Sequence, residues 1–345
     1  MQTRKRPVIC WATIDWGFLL HRPQQLMLFL ARQGHPVYYR NPGQIPGSAP
    51  EEVAPNLWVY PDYDRLPPGV AEEAIYFVYF PAWATWIEPN IKRFIVYDCL
   101  DDDPAFAGHE KLMLERADLV FCCSQKLMEK HHGKHSRLVL LPNGVDLEHY
   151  RPQRLPDPLE MRDIRSQGEI VVGFTGAFYT GWVDAKLLYY LAVERPEWQF
   201  VIVGHNYQWD FSAGPYKAPP NMSYLGIRPY AVLPAYVQCF DVGLIPFLDN
   251  PVSRAADPIK MYEYLGAGLP VVSRNLPFLQ GLAPPMVYPY DDKEGCLAAI
   301  TQALQDEQAN RDEVHRMRRD SARSFSWDVR FGLLYIKLRE LTWLE

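Results

Sequence analysis

Short, almost wholly apolar runs alternate with longer amphipathic stretches along most of this chain. VICWATI (8–14) precedes a stretch over 22–33 in which Pro23 suits a first helical turn and Gly34 a stop, which predicts a strand and then a helix. Further apolar runs fall at 37–39, 57–60, 74–80, 93–98, 119–123 and 138–141, with helical patterns over 108–117 and 125–131. These runs lack the alternation of a half-solvated sheet and fit strands covered on both faces, as in a parallel sheet. A second series follows the charged, proline-rich passage 151–169. Its strands are expected at 169–176, 199–204, 222–226, 241–246 and 270–273, and its helices over 183–194, near 230–239, over 259–267 and through most of 293–324. The pattern predicts an α/β chain of two doubly wound domains, 1–155 and 165–324, joined near 151–168 and facing each other across a cleft. The last stretch, 325–345, reads as a separate amphipathic helix.

Length agrees, since 345 residues suit about two domains. With 48% hydrophobic and 22% charged residues, wholesale disorder is excluded. The net charge of −6 is evenly shared: residues 1–150 carry 15 basic and 18 acidic side chains and the remainder 20 and 23. No basic excess marks a nucleic-acid face, so nucleic acid is not expected as a partner. None of the six cysteines (10, 99, 122, 123, 239, 296) forms a Cys-x-x-Cys, and most lie in apolar runs such as LVFCCS, as small buried hydrophobes of a reducing compartment. Asp15 interrupts the first apolar run too soon for a signal-peptide core, and no run approaches the roughly 20 residues that span a bilayer. A cytoplasmic protein is expected. Prolines concentrate in 42–68 and 215–220, which predicts long connecting loops.

The most informative segment is DPIKMYEYLGAGLPVVS (257–273). Asp257 suits a helix cap, Pro258 the first helical position and Gly268 the stop, with a strand directly after. The N-terminus of such a helix offers unpaired amides and a positive dipole end to a phosphate, and Lys260 adds a point charge. Glu263, one turn further on, is placed to accept hydrogen bonds from vicinal ribose hydroxyls. Lys260 and Glu263 are equally compatible with ordinary surface charges of a helix, and the residues alone do not decide.

The segment resembles the Pro-x-Lys-x-x-Glu-Tyr-x-x-x-Gly-x-Pro-Val-Val signature of glycosyltransferases with two Rossmann-like domains (GT-B), in the group 1, glycogen-synthase-like, retaining superfamily. Other passages agree in order and spacing: WATIDWGFLLHRPQQLMLFLARQGHPVYY, ERADLVFCCSQKL, LPNGVDLEHYRP, VVGFTGAF and YLGIRPYAVLPAYVQCFDVGLIPF. The Arg-Pro-Gln-Gln start and the Tyr-Asp-x-x-Asp-Asp passage are most similar to bacterial surface-polysaccharide transferases of the teichuronic-acid-biosynthesis type. The resemblance implies a GT-B fold whose C-terminal helix crosses back to the first domain. It implies transfer of a sugar from a nucleotide-diphosphate donor, bound by the second domain, to a glycan or lipid-linked acceptor, bound by the first. No cofactor and no metal are implied beyond the nucleotide sugar itself.

Residue by residue, it implies that Glu263 holds the donor ribose and that the amides of Ile259, Lys260 and Met261 cradle the diphosphate. It further implies that the backbone at Ile227 and Arg228 forms the base-binding turn, and that Gly17 marks where the first loop approaches donor phosphate or sugar. Two departures stand out. The first glutamate of the family's Glu-x7-Glu pair falls on Ala255, with Asp249 and Asp257 the nearest carboxylates. The usual diphosphate-clamping Arg and Lys are not evident in GAFYTGWVDAK, where Lys186 is the nearest match; Arg254 and Lys260 are the alternative phosphate donors.

Acceptor-side chemistry is expected in the first domain. YDCLDDDP (97–104) supplies Asp98, Asp101, Asp102 and Asp103, and mutual repulsion can raise one carboxyl into the range of a base for an acceptor hydroxyl. A solvated acidic loop fits the same residues. Asp15 and His21 in the first loop are comparable candidates, with structural roles as the alternative. KLMEKHHGKHSR (126–137) is the one local basic run; its histidines have no acidic or cysteine partner at ligand spacing, so contact with anionic lipid headgroups is weighed against a solvated helix end. Trp16, Trp83, Trp86 and Trp182 follow strand ends, where they can stack on sugar rings. Two rival functions remain: a nucleotide-sugar epimerase on the same fold, and a non-catalytic nucleotide- or glycan-binding subunit.

Overall fold

The computed structural model describes residues 5–18, 20–43, 49–61, 66–87, 94–102, 104–151, 155–207, 210–212, 217–279, 281–341 and 343. They form two compact units: residues 1–143 with 255–257 and 327–345, and residues 144–254 with 258–326.

The first unit is built on eight strands: β1 (Val8–Trp11), β2 (Val37–Arg40), β3 (Glu51–Ala54), β4 (Leu57–Tyr60), β5 (Ile75–Val78), β6 (Phe94–Cys99), β7 (Leu119–Cys122) and β8 (Leu138–Leu140). Their order is β3-β4-β2-β1-β5-β6-β7-β8, parallel throughout except for β3, which runs antiparallel to β4. The apolar runs become central strands because they are covered on both faces: every residue of β1, β5 and β7 is buried. The edge strand β3 escaped the sequence reading because Glu51 and Glu52 are exposed and break the apolar pattern; its turn into β4 is made by Asn56 at φ 66°. The helices are α1 (Arg22–Arg32), α2 (Val70–Glu73), α3 (Ala107–Arg116) and α4 (Gln125–His131).

Helix α1 begins on a buried ion pair. Arg22 donates from Nε and Nη2 to the two carboxylate oxygens of Asp98, both at 2.8 Å, and from Nη1 to the Leu141 carbonyl at 2.7 Å. Both side chains are almost wholly excluded from solvent. Burial alone would lower the guanidinium pKa, but Asp98 outweighs it and raises the value. Asp98 is thus a structural anchor at the end of β6.

The second unit carries β9 (Ile170–Thr175), β10 (Trp198–Val203), β11 (Met222–Gly226), β12 (Val242–Ile245), β13 (Val271–Arg274) and β14 (Val287–Tyr290) in the order β11-β10-β9-β12-β13-β14, all parallel. Its helices are α5 (Leu159–Ser166), α6 (Ala185–Glu194), α7 (Leu233–Val237), α8 (Pro251–Ala255), α9 (Ile259–Ala267) and α10 (Lys293–Ala322). The stretch 151–168, expected as the joint between domains, lies within this unit, where α5 buries Met161 and Ile164. The helix expected near 230–239 shortens to a 3₁₀ turn over Tyr230–Val232 and α7, because Pro234 inside it removes a helical donor. The strand β14 was hidden by Pro289, which an edge position tolerates.

The C-terminal helix α11 (Trp327–Glu340) returns to the first unit, with Phe331 5.6 Å from Phe29 between ring centroids and Trp343 beyond it 4.8 Å from Phe94. Among the described residues no helix is long and apolar enough to cross a membrane.

Replacing Arg22 by Leu strands Asp98 as an unpaired buried carboxylate. Denaturant unfolding should show a loss of about 3–5 kcal/mol, much of it recovered in the Arg22→Leu/Asp98→Leu double variant. Equal loss in both variants would contradict the pairing.

Candidate functional site

The ends of three adjacent strands in the second unit are made of glycine. Gly176, Gly204 and Gly226 follow or end β9, β10 and β11 at φ 133°, 149° and 72°. Side chains are excluded there by space as well as by backbone angle: a Cβ on Gly204 would lie 1.9 Å from the Gly176 carbonyl oxygen, and one on Gly176 2.9 Å from Lys260 Cε. Backbone is therefore open at the carboxyl edge of a parallel sheet, where this architecture binds ligands.

Helix α9 is pinned against that edge by Tyr264. Its ring lies on Gly243 of β12, where a Cβ would come within 2.3 Å of Cδ2. Its hydroxyl accepts a hydrogen bond from the Thr175 amide at 2.8 Å and meets Thr175 Oγ1 at 3.1 Å. One turn towards the N-terminus, Lys260 is held beside the Gly176 turn, its ammonium 5.4 Å from the centre of the Phe174 ring and 5.0 Å from that of Phe247. Glu263, only 6% exposed, lies on the same helix. Neither makes an ion pair among the described residues. Burial pushes the Glu263 carboxyl up to about 7, against the opposing influence of the Tyr150 hydroxyl and Lys260, and burial brings the Lys260 ammonium down to about 8.

The helix N-terminus is also left uncapped. Three helices are capped by side chains, Ser124 taking the Leu127 amide, Asp184 that of Leu187 and Asp292 that of Gly295, whereas α2, α3, α5 and α7 have no side-chain cap. On α9 the N-cap is Pro258, with no side-chain cap. The expected cap, Asp257, turns away: its Oδ2 accepts the Asn143 amide and its carbonyl accepts Asn143 Nδ2. The Met261 amide folds back on the Pro258 carbonyl at 3.1 Å, so the open first-turn donors are those of Ile259 and Lys260. Uncapped amides, a dipole end and a lysine converge beside a glycine turn, an arrangement suited to a diphosphate.

The remaining donor-side candidates are placed as follows. Ile227 and Arg228 follow Gly226, but the Arg228 side chain is committed, donating to Tyr236 Oη at 2.7 Å and Glu160 Oε1 at 3.1 Å; only its backbone matches the expected role. Arg254 is exposed on α8 and forked onto Asp249 at 2.5 and 2.7 Å. Ala255 is buried and offers its carbonyl to Ser124 Oγ. Asp249 and Asp257, the nearest carboxylates to the missing one, are thus both engaged.

In the first unit, Gly17 is exposed, and nothing lies within 4 Å of the place a Cβ would take. Asp15 accepts the Gly43 amide at 2.6 Å and so clasps the two loops that follow β1 and β2. His21 is the N-cap of α1, its amide donating to Gln24 at 3.1 Å. Asp101 is exposed, Asp102 takes the Lys130 ammonium at 2.6 Å, and Asp103 lies outside the described residues. Trp83 and Trp86 stack at 6.1 Å, with the Arg40 guanidinium 5.8 and 5.5 Å from their ring centres, and Trp86 is exposed. Trp16 meets Tyr39 edge-on and Trp182 packs on Tyr179. The basic run is less basic than its sequence. Lys126 pairs with Glu129 and Lys130 with Asp102 and Glu110, which leaves Lys134 and Arg137 as its exposed cations outside ion pairs among the described residues.

Sequence reasoning missed Tyr150, Thr175 and Tyr264, whose aromatic or small side chains read as core, and Asn143. All four polar groups of Asn143 are used, the other two by Arg22 on Oδ1 and Arg330 on its carbonyl. It also missed the acidic and thiol partners of His131, which lie 21 and 32 residues upstream as Glu110 and Cys99.

With this geometry in hand, comparisons with known proteins bear out the family resemblance. No family model matches the chain. Over 261 residues, 69% of this chain, it is 29% identical to the putative teichuronic acid biosynthesis glycosyltransferase TuaH of Bacillus subtilis. The match spans 64% of that relative's length. Similar solved structures include sucrose-phosphate synthase from Thermosynechococcus elongatus (TM-score 0.73, 16% identity, 97% of this chain and 100% of that one). Anabaena HepE in complex with UDP and glucose matches at TM-score 0.67 and 15% identity, over 97% and 99% of the two chains. The α,α-trehalose-6-phosphate synthase of Burkholderia multivorans matches at 0.67 and 13%, over 98% and 99%. The fold is that of the GT-B glycosyltransferases.

Because the folded-state pKa of Glu263 lies above its unfolded value, its ionisation opposes folding: the associated stability is full below about 4.5 and lost as pH rises through 7. Glu263→Gln should therefore stabilise the chain by about 1–3 kcal/mol at pH 8.5 and by little at pH 4.5. Chemical denaturation at the two pH values checks this; a destabilised variant at pH 8.5 would contradict a strained carboxylate.

Proposed function

We propose that this chain is a glycosyltransferase of bacterial polysaccharide biosynthesis, moving a sugar from a nucleoside-diphosphate sugar to a glycan or lipid-linked acceptor. The observation that carries the reading is the uncapped N-terminus of α9, with Lys260 and Glu263 buried beside it and outside any ion pair among the described residues. Two ionisable groups sit where burial disfavours their charged forms, and a diphosphate and a ribose would favour them. HepE, of the same fold, is described in complex with UDP and glucose, and TuaH is named for teichuronic acid biosynthesis.

In this reading the Ile259 and Lys260 amides and the Lys260 ammonium stabilise the leaving diphosphate as the glycosidic bond breaks, so the positive charge comes from the chain rather than from a metal in the donor site. Glu263 accepts the ribose hydroxyls, and the backbone after Gly226 faces the base. Retention of configuration rests on the motif resemblance, and the reaction proceeds without the carboxylate that Ala255 replaces. The acceptor binds the first unit, where the Trp86 face offers a platform for a sugar ring. Asp101, exposed two residues beyond β6, is the acceptor-side candidate of the aspartate-rich passage. The protein acts in the cytoplasm, and attachment to an anionic inner membrane surface would rest on Lys134 and Arg137.

The test is a panel of nucleotide sugars, first by thermal shift and then with glycan and polyprenyl-linked acceptors, reading product mass and nucleoside diphosphate release. One donor should bind and be consumed only with acceptor present. Lys260→Ala and Glu263→Ala should each weaken its binding about 10–100-fold while leaving the fold intact. A converted donor without acceptor would indicate the epimerase, and binding without turnover the non-catalytic subunit.

A further inference from the structure

Three elements of the first unit bring a thiol, a carboxylate and an imidazole to one buried point. Cys99 ends β6, Glu110 lies in the first turn of α3 and His131 ends α4. Cys99 Sγ is 3.6 Å from His131 Nε2 and 3.8 Å from Glu110 Oε1, and those two atoms are 3.3 Å apart. Tetrahedral coordination, with metal–sulfur near 2.3 Å and metal–nitrogen or –oxygen near 2.0 Å, requires edges of about 3.5 Å to sulfur and about 3.3 Å between nitrogen and oxygen. The triangle fits within about 0.3 Å.

A nucleophile relay is the obvious other use of Cys, His and Glu, and the geometry opposes it. A relay places the carboxylate on the ring nitrogen remote from the thiol. Here thiol and carboxylate both face Nε2, while Nδ1 is buried with no hydrogen-bond partner among the described residues. Three donor atoms that converge on a point, with no solvent path for a substrate to a fully buried Cys99, describe a coordination sphere.

The surroundings supply a second shell. Lys130 takes Glu110 Oε2 at 2.6 Å and Asp102 at 2.6 Å, which leaves Oε1 to the cluster and orients the carboxylate. A divalent cation with one thiolate and one carboxylate is neutral, as is the Lys130–Asp102 pair, so the assembled group buries no net charge. The Asp101 carbonyl oxygen lies 3.9 Å from Sγ. We propose that Cys99, Glu110 and His131 form a structural zinc site that ties β6, α3 and α4 together, Cys99 binding as thiolate with release of its proton to solvent. A borderline-soft ion suits a mixed S, N, O set better than calcium or magnesium.

The test is titration of tag-free, chelator-treated protein with Co(II), followed by Zn(II) competition. One equivalent of Co(II) should bind with a near-ultraviolet thiolate charge-transfer band and intense visible bands of tetrahedral cobalt, and Zn(II) should displace it. The band should vanish in Cys99→Ser and persist in His132→Ala, His135→Ala, Cys122→Ser and Cys123→Ser. Zn(II) should raise the Tm of the native chain. No Co(II) uptake by folded protein, uptake without a thiolate band, or loss of the band in Cys122→Ser or Cys123→Ser overturns the proposal. Cys10→Ser, Cys239→Ser and Cys296→Ser should likewise keep the band, so the set of five variants assigns the thiolate to Cys99 even if Cys99→Ser does not fold.

Discussion

The carboxyl edge of the second unit's sheet depends on how one tyrosine seats a helix. Tyr264 lies flat on the backbone of Gly243 and ties its hydroxyl to the last residue of β9, so α9 cannot slide or rotate without breaking a buried hydrogen bond and opening a void. One turn away, that placement sets Lys260 against the Gly176 turn and buries Glu263. The glycines are the other half of the same constraint: Gly176 and Gly204 approach each other so closely that any side chain would displace the turn. Shape comes from packing, and the packing leaves two ionisable groups in surroundings that disfavour their charge. Binding sites are where a fold tolerates such strain.

The first unit solves a different problem. Arg22, Asp98 and the half-buried Asn143 form a polar hub in which each side-chain nitrogen and oxygen meets a partner, and the stretch 255–257 is bound to the same hub through Asp257. The consequence reaches α9 along the chain, because the carboxylate that would have capped that helix is spent on Asn143. A residue type read as a helix cap thus acts by its absence from the cap, and the helix N-terminus is left without a side-chain cap.

Most of the central strands and long helices were legible in the sequence, since buried parallel strands are unbroken apolar runs and α4, α9 and β11 carry clear start and stop residues. What was hidden has local causes. Glu51 and Glu52 disguised an edge strand and Pro289 another, and charge density disguised α5. At the site, the residues alone left Lys260 and Glu263 open, and the family resemblance singled them out. The roles of Asp15, Asp98 and Asp102 were not, because each is decided by a partner distant in sequence: Gly43, Arg22 and Lys130 respectively. The same holds for His131, whose partners come from two other elements.

Burial shifts both Lys260 and Glu263 towards their neutral forms, and in the proposed function a nucleotide sugar reverses both shifts. Calorimetric titration with the bound nucleotide sugar, in buffers of different ionisation enthalpy, counts the protons exchanged on binding. Near pH 6 binding should release protons, as Glu263 ionises to accept the ribose, and near pH 8.5 it should take protons up, as Lys260 charges to meet the diphosphate. The acid-side release should disappear in Glu263→Gln. Proton exchange that keeps one sign across this range, or is unchanged in the variant, would contradict the account.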